Sequence, residues 1–325
     1  MQITLAFLAL LSTALAASRT TAPAGAITVG QGAKYTTLQA AIDSLSTSST
    51  TAQSIFILAG TYKEQVVIPA RKAALTIYGY TTDDTTYTKN QVSIEHSCSQ
   101  SGCAATNDGT ATISNHAAAT KFYNINIKNT YGAGSQAVAL SAYATQQGYY
   151  GVGLYGYQDT LLAQTGKQVY AKSFIQGATD FIFGQYGVVW IDGSVLSVNG
   201  NGYITASGRA SNDASYYVIN KSSVVADASG TAKSGGVYLG RPWRNYARVC
   251  FQNTALSNII NSAGWSVWSS SDTRTDSVTF QEYGNTGSGA SGTRASFASK
   301  LSSALAIGTV LGSDYASWVD TAYLS

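Results

Sequence analysis

Gly156-Tyr157-Gln158-Asp159-Thr160-Leu161 and Asp180-Phe181-Ile182-Phe183-Gly184 set two aspartates, Asp159 and Asp180, 21 residues apart. That interval matches one turn of a strand-rich solenoid. In such a fold, residues one coil apart stack at the inter-strand distance of about 4.8 Å. Two carboxylates held that close do not readily both ionise, and one tends to keep its proton. A single site then has an acid and a base. The chain carries only two histidines and three cysteines, which closes most other routes to hydrolytic chemistry.

Working outward, short β-branched and aromatic runs succeed one another: Ile55-Leu58, Leu75-Tyr78, Phe122-Ile127, Val138-Ala142, Val188-Ile191, Tyr216-Ile219 and Val249-Phe251. Gly, Asn and Ser punctuate them. A degenerate repeat, a small polar residue before two mostly apolar ones, recurs at Ser173-Phe174-Ile175, Ser194-Val195-Leu196, Ser223-Val224-Val225 and Thr254-Ala255-Leu256. One constant coil with variable insertions explains these intervals better than a sandwich does, and hairpin signals are scarce. The expected class is all-β, a parallel β-helix.

Two segments break the strand pattern. Tyr35 to Leu45 reads as a helix: Leu38, Ala41, Ile42 and Leu45 follow the one-face rule, and Thr36 or Thr37 can cap it. A one-sided stripe suits a plug on the open end of a solenoid. Phe297 to Leu305 is a second, modest helix candidate. Leu311 to Trp318 is a tail expected to pack back along the coils.

Residues 1–16 read as a secretory signal peptide, with an apolar run from Ile3 to Leu15 and a small-residue cleavage site near 16/17. The run is too short to span a bilayer, and no membrane association is expected. Residues 17–325 read as one extracellular domain, expected to be a monomer. Charged residues make up 11% and the net charge is +3. No Lys/Arg cluster marks a nucleic-acid interface. The mild positive balance fits ordinary solubility, or approach to a polyanion.

In a secreted chain, Cys98 and Cys103 are candidates for a small-loop disulfide. Four metal ligands cannot be assembled there, so no metal site is expected. Cys250 reads as a buried small hydrophobe. Asn220-Lys221-Ser222 is the one glycosylation sequon, either occupied or an unmodified strand end.

No nucleophile elbow, P-loop or zincin motif is present, and neither His96 nor His116 stands near a Ser or Cys nucleophile. Gly151, Gly153 and Gly156 satisfy a dinucleotide fingerprint but open no helix. The remaining constellation is the aspartate pair with Arg241, in Leu239-Gly240-Arg241-Pro242-Trp243. A guanidinium beside Asp180 would keep it ionised as a nucleophile. Asp159 would then hold a proton for the departing alcohol. Gln136 and Gln158 carry amide donors for a tetrahedral oxyanion, although Gln136 could instead join a ladder of stacked amides.

These residues carry a family resemblance. Gly60-Thr61-Tyr62-Lys63-Glu64, Gln136-Ala137-Val138-Ala139-Leu140, Gly156 to Leu161, Ile175 to Gly184 and Leu239 to Trp243 stand in the order of the motifs of the pectin methylesterases, and the chain resembles that family over nearly its whole mature length. The resemblance implies a right-handed parallel β-helix and hydrolysis of galacturonate methyl esters in pectin, with no cofactor. It implies Asp180 as nucleophile, Asp159 as acid/base, Gln136 and Gln158 as oxyanion donors, Arg241 as the residue orienting Asp180, and Trp243 as a sugar contact. Without an inhibitor-like pro-domain, the chain looks more like fungal than plant members. Trp265 reads as a second sugar platform or as core. Tyr157 and Phe181 either line the groove or support their strands. Glu64 and Tyr62 read as structural.

Two rival readings remain at this stage. A pectin lyase or polygalacturonase would keep the fold and change the chemistry, but neither histidine has glycine neighbours and no acidic cluster suggests a calcium site. A non-catalytic wall-binding solenoid would have no use for both aspartates, Arg241 and the glutamines together.

Overall fold

A computed structural model describes residues 17–325, so the expected signal segment lies outside the described residues. The chain winds as a right-handed parallel β-helix. An eleven-stranded sheet runs from Ile27–Val29 to Ala298–Lys300. A thirteen-stranded sheet makes the other two columns of the coil, which the long bent strands Phe174–Gly184 and Val195–Ser207 join. The ladders run parallel from coil to coil.

The interval of 21 is the coil in its least interrupted part. Leu140 pairs with Leu161 and Leu161 with Ile182, while Tyr149 pairs with Tyr170. Identical positions therefore stack into ladders through the core. Phe122, Tyr149 and Tyr170 lie in one ladder, all buried, with ring centroids 5.2 and 4.8 Å apart. Each buried ring contributes about 1.5–3 kcal/mol of apolar transfer, and stacking about 0.5–1.5 kcal/mol more. Tyr149→Ala would open a cavity in that ladder at a cost of about 3–5 kcal/mol.

The small polar residues of the repeat form a hydroxyl ladder at one corner. Val152 N–H donates to Ser173 Oγ at 3.2 Å, Ser173 N–H to Ser194 Oγ at 3.0 Å, Ser194 N–H to Ser222 Oγ at 3.1 Å, and Ser222 N–H to Thr254 Oγ1 at 3.3 Å. The third member is thus Ser222. Ser223 pairs with Val195, one place further along the strand. These bonds satisfy backbone donors at a bend where the sheet ladder is interrupted.

The first helix spans Leu38–Asp43, capped by Thr37 Oγ1 accepting from Ala40 N–H at 3.2 Å. Glu64 reaches across to accept from Leu38 and Gln39 N–H at 2.8 and 2.9 Å, placing a carboxylate on free amides at the helix start. Leu38, Ala41, Ile42 and Leu45 bury their stripe against the first coil.

The second expected helix does not form. Ala298–Lys300 instead adds a strand to the eleven-stranded sheet, pairing with Phe280 to Glu282. The open edge of the last coil offers a row of unpaired backbone groups, and that outweighs a weak helical spacing. The short helix lies later, at Ile307–Leu311. Leu311, Trp318, Val319 and Tyr323 then pack on Tyr123, Tyr150, Trp190 and Val218, outside the sheet.

Asn220 is only 6% exposed. Its Nδ2 donates to Asp192 Oδ1 at 2.6 Å and its Oδ1 accepts from Gln252 Nε2 at 2.9 Å. Both ends of the amide are used inside a ladder of Asp192, Asn220 and Gln252, one residue per coil. In the folded chain the sequon asparagine is therefore buried, with no free amide edge. Cys98 and Cys103 are joined as a disulfide, with Cα atoms 5.5 Å apart. Cys250 is free and buried, and burial pushes its thiol up to about 12. Among the described residues no helix is long and apolar enough to cross a membrane.

Candidate active site

Asp159 and Asp180 occupy equivalent places on successive coils. The flanking pairs Gln158 with Thr179 and Leu161 with Ile182 keep the register on either side of them. Both aspartates are left-handed, with φ of 65° and 51°. Asp is among the few residues that visit this region with modest cost. The matching kinks turn both carboxylates out of the wall. On the following coil the register shifts: Thr179 pairs with Tyr203 but Ile182 with Thr205. This bulge sits at Asp180, where such irregularities re-aim a side chain.

Arg241 lies two coils beyond Asp180, at the end of Val237–Pro242, paired with Ala206. Its guanidinium grips Asp180 with both prongs, Nε to Oδ1 at 2.9 Å and Nη2 to Oδ2 at 2.7 Å. Two-pronged pairs are among the strongest polar contacts. Both aspartates are 6% exposed. Burial pushes the Asp159 carboxyl well above its usual value, the charge of Asp180 adds to this, and Arg241 opposes it. Burial also raises Asp180, against the hydrogen bonds and charge of Arg241. The arginine therefore does not hold Asp180 at the ordinary carboxylate value. It makes the pair unequal, with the Asp159 carboxyl raised the further of the two.

The two carboxylates open into a cleft of about 280 Å³. Gln136 and Gln158 stand on its wall with Asn107, while Phe183, Trp243 and Trp268 form its aromatic side. Gln136 accepts at Oε1 from Ser135 Oγ at 3.3 Å, which leaves its amide donors for the cleft. The disulfide loop braces this wall: Gln100 N–H donates to Gln136 O at 3.0 Å and Gln100 Nε2 to Asn107 Oδ1 at 2.7 Å. Trp243 packs on Phe183 with centroids 6.1 Å apart. Gly208 makes room for it, since a Cβ there would come within 2.4 Å of the indole.

The sequence-derived residues separate into two groups. Asp159, Asp180, Gln136, Gln158, Arg241 and Trp243 converge on the cleft. Trp265, Phe181 and Tyr157 do not. Trp265 is 1% exposed, stacked on Phe280 at 4.3 Å, and its Nε1 donates to Glu282 at 3.3 Å, so no sugar can reach it. Phe181 is fully buried in the core; Gly177 leaves space for it, as a Cβ there would meet Phe181 Cβ at 2.2 Å. Tyr157 is half-buried on the far side of the turn, lining a separate polar groove with Tyr155 and Lys128. Four cleft residues escape the sequence reading: Asn107, Phe183, Ala206 and Trp268. The Trp265-Ser266-Val267-Trp268 run held a signal for Trp268, because residues three apart on irregular backbone can face opposite ways.

Known proteins match this arrangement. A model of the Pectinesterase family matches residues 26–303. The chain belongs to the pectinesterase family. It is 55% identical to a pectinesterase of Aspergillus aculeatus over 316 residues, covering 95% of this chain and 96% of that one. It is 53% identical to a pectinesterase of Aspergillus niger, covering 97% and 96%. Among solved structures, a deglycosylated pectin methylesterase from Aspergillus niger superposes with a TM-score of 0.89 at 41% identity, covering 94% and 100%. A pectin methylesterase from carrot gives 0.81 at 28% identity, covering 90% and 96%. As a pectinesterase the chain is a carboxylic ester hydrolase that acts on the methyl esters of galacturonate in pectin, and nothing in these matches favours a lyase, a polygalacturonase or a non-catalytic solenoid.

Proposed function

We propose that pectin demethylation by this chain runs through Asp180 as nucleophile and Asp159 as acid and base. The observation that carries this reading is the two-pronged grip of Arg241 on Asp180, one coil from a buried Asp159 whose carboxyl burial pushes up. An Asp180 oxygen adds to the ester carbonyl carbon. The amide donors of Gln136 and Gln158 receive the oxyanion. Asp159 gives its proton to the leaving methoxide, and methanol departs from an acyl-enzyme. Water then attacks that acyl carbon while Asp159 takes back a proton, which frees the galacturonate carboxylate and regenerates Asp180. Trp243 offers a flat face for a sugar ring beside the aspartates.

The finer setting is part of the same proposal. The chain acts outside the cell as a monomer, after removal of residues 1–16, on methyl-esterified homogalacturonan. Methanol release from pectin, measured for the parent and for Asp180→Asn, tests the assignment. Near-normal turnover in that variant would overturn it.

A further inference from the structure

A guanidinium is a plate with one forked edge and two faces. In Arg241 the fork is committed to Asp180, and both faces are covered. The Tyr203 ring lies 4.0 Å from the guanidinium carbon and the Trp268 ring 4.2 Å from it. Trp268 faces the cleft, whereas Tyr203 does not line it. Tyr203 pairs with Thr179, the residue before Asp180, on the near side of the bulge. It is itself stacked on Tyr238 one coil further, with centroids 5.7 Å apart and planes 22° apart. Gly202 lets the strand come close enough for this. A Cβ there would sit 2.4 Å from Ala178 O, and its φ of 158° lies in a region L residues rarely adopt.

We propose that Tyr203 is a positioning residue for Asp180, acting through the Arg241 guanidinium that it clamps against Trp268. The inference rests on Asp180 being the nucleophile. Stacking on an aromatic face suits arginine in particular, and it strengthens when the cation is withdrawn from water. Asp180 and Arg241 are 9% and 18% exposed at their side chains. With the fork and both faces held, the guanidinium has no soft rotation left. Without Tyr203 one face opens, the fork loosens, and Asp180 loses part of the positive charge that favours its ionised form. The other charged groups facing this pair are Asp159, from the preceding coil, and Arg274, whose guanidinium carbon lies 4.7 Å from the outer ring, Trp268. Both stay in place when Tyr203 changes.

The test compares Tyr203→Leu and Tyr203→Phe with the parent chain, measuring kcat and KM for methanol release from pectin across pH, together with Tm. In the leucine variant kcat should fall about tenfold on the acid side. Its acid limb should move to higher pH by about half to one pH unit, with KM within about twofold. Phenylalanine keeps the face and should restore both limb and rate. A leucine variant whose profile superimposes on the parent overturns the proposal. So does a uniform loss at all pH values with the limb unmoved, which is the mark of a merely structural ring. If the leucine chain does not fold, a series of increasingly fluorinated phenylalanines at position 203 weakens the π face at nearly constant shape. The acid limb should then climb in step with fluorination, and a flat series overturns the proposal. Asp180→Asn serves as the separate control: if it keeps turnover, the nucleophile assignment fails whatever Tyr203 does.

Discussion

Asp159 and Asp180 are the same position on two successive coils, both left-handed, with φ of 65° and 51°. The backbone reaches this sparsely populated region twice, one coil apart, and both times delivers a carboxylate to the cleft. Such strain persists only where the surrounding ladder over-determines it. Here Gln158 with Thr179 and Leu161 with Ile182 pin the chain on each side.

Burying Asp159 beside a second carboxylate has a stability consequence. Its folded pKa is raised above the unfolded value. The folded state thus binds more protons than the unfolded one, and stability is lost as pH rises from the ordinary carboxylate value up to the pH where folded Asp159 ionises. Asp159→Asn should abolish turnover yet raise Tm at neutral pH by about 2–4 °C. The gain should shrink below about pH 4, where both states hold the proton. Thermal unfolding at several pH values checks this, and a variant less stable than the parent at neutral pH would contradict it.

Removing the arginine acts in the opposite sense on Asp180. Arg241→Leu leaves that carboxyl buried without its cation, so burial raises it further. Turnover should drop by about 10²-fold or more, and the acid limb of any residual activity should move to higher pH. An unchanged pH profile would show that the ion pair has no catalytic role.

Trp243 and Trp265, both expected at the sugar from sequence, should part company. Trp243→Ala removes an aromatic face from the cleft, and should raise KM or lower kcat/KM with little change in Tm. Trp265→Ala empties a core site between Phe251 and Phe280, and should cost about 3–5 kcal/mol of stability. A Trp265 variant with parental Tm and weakened substrate binding would reverse their placement.

Asn220 should carry no glycan even when the chain is secreted from a cell that glycosylates. Its amide is engaged at both ends inside the Asp192–Gln252 ladder. The intact mass of the secreted chain, before and after removal of N-linked sugars, reads this directly. A shift assigned to Asn220 would mean that the ladder opens or forms differently.

Much of this was legible in the sequence because a parallel coil repeats its chemistry at a fixed interval. The 21-residue spacing marked the stacked aspartates, and the β-branched runs marked the strands. The failures have local physical causes. Ser222 and Ser223 are both hydroxyl residues, so composition alone could not tell which one joined the ladder. The apolar spacing of Phe297, Leu301 and Leu305 suits a short helix, but the open last coil supplied a strand partner for Ala298–Lys300. Phe181 and Phe183 look alike in sequence. The register shift between Thr179 and Ile182 breaks strict alternation, so that Phe181 and Ile182 both enter the core and Phe183 turns toward Trp243.

The most direct test of the account is methanol release from methyl-esterified pectin by the parent chain and by folded Asp180→Asn. The parent should release methanol with one new galacturonate carboxylate per turnover and no chain cleavage. The variant should be slower by about 10³-fold or more while still unfolding cooperatively. Turnover within a few-fold of the parent in the variant, or unsaturated or shortened chains without methanol from the parent, would contradict it.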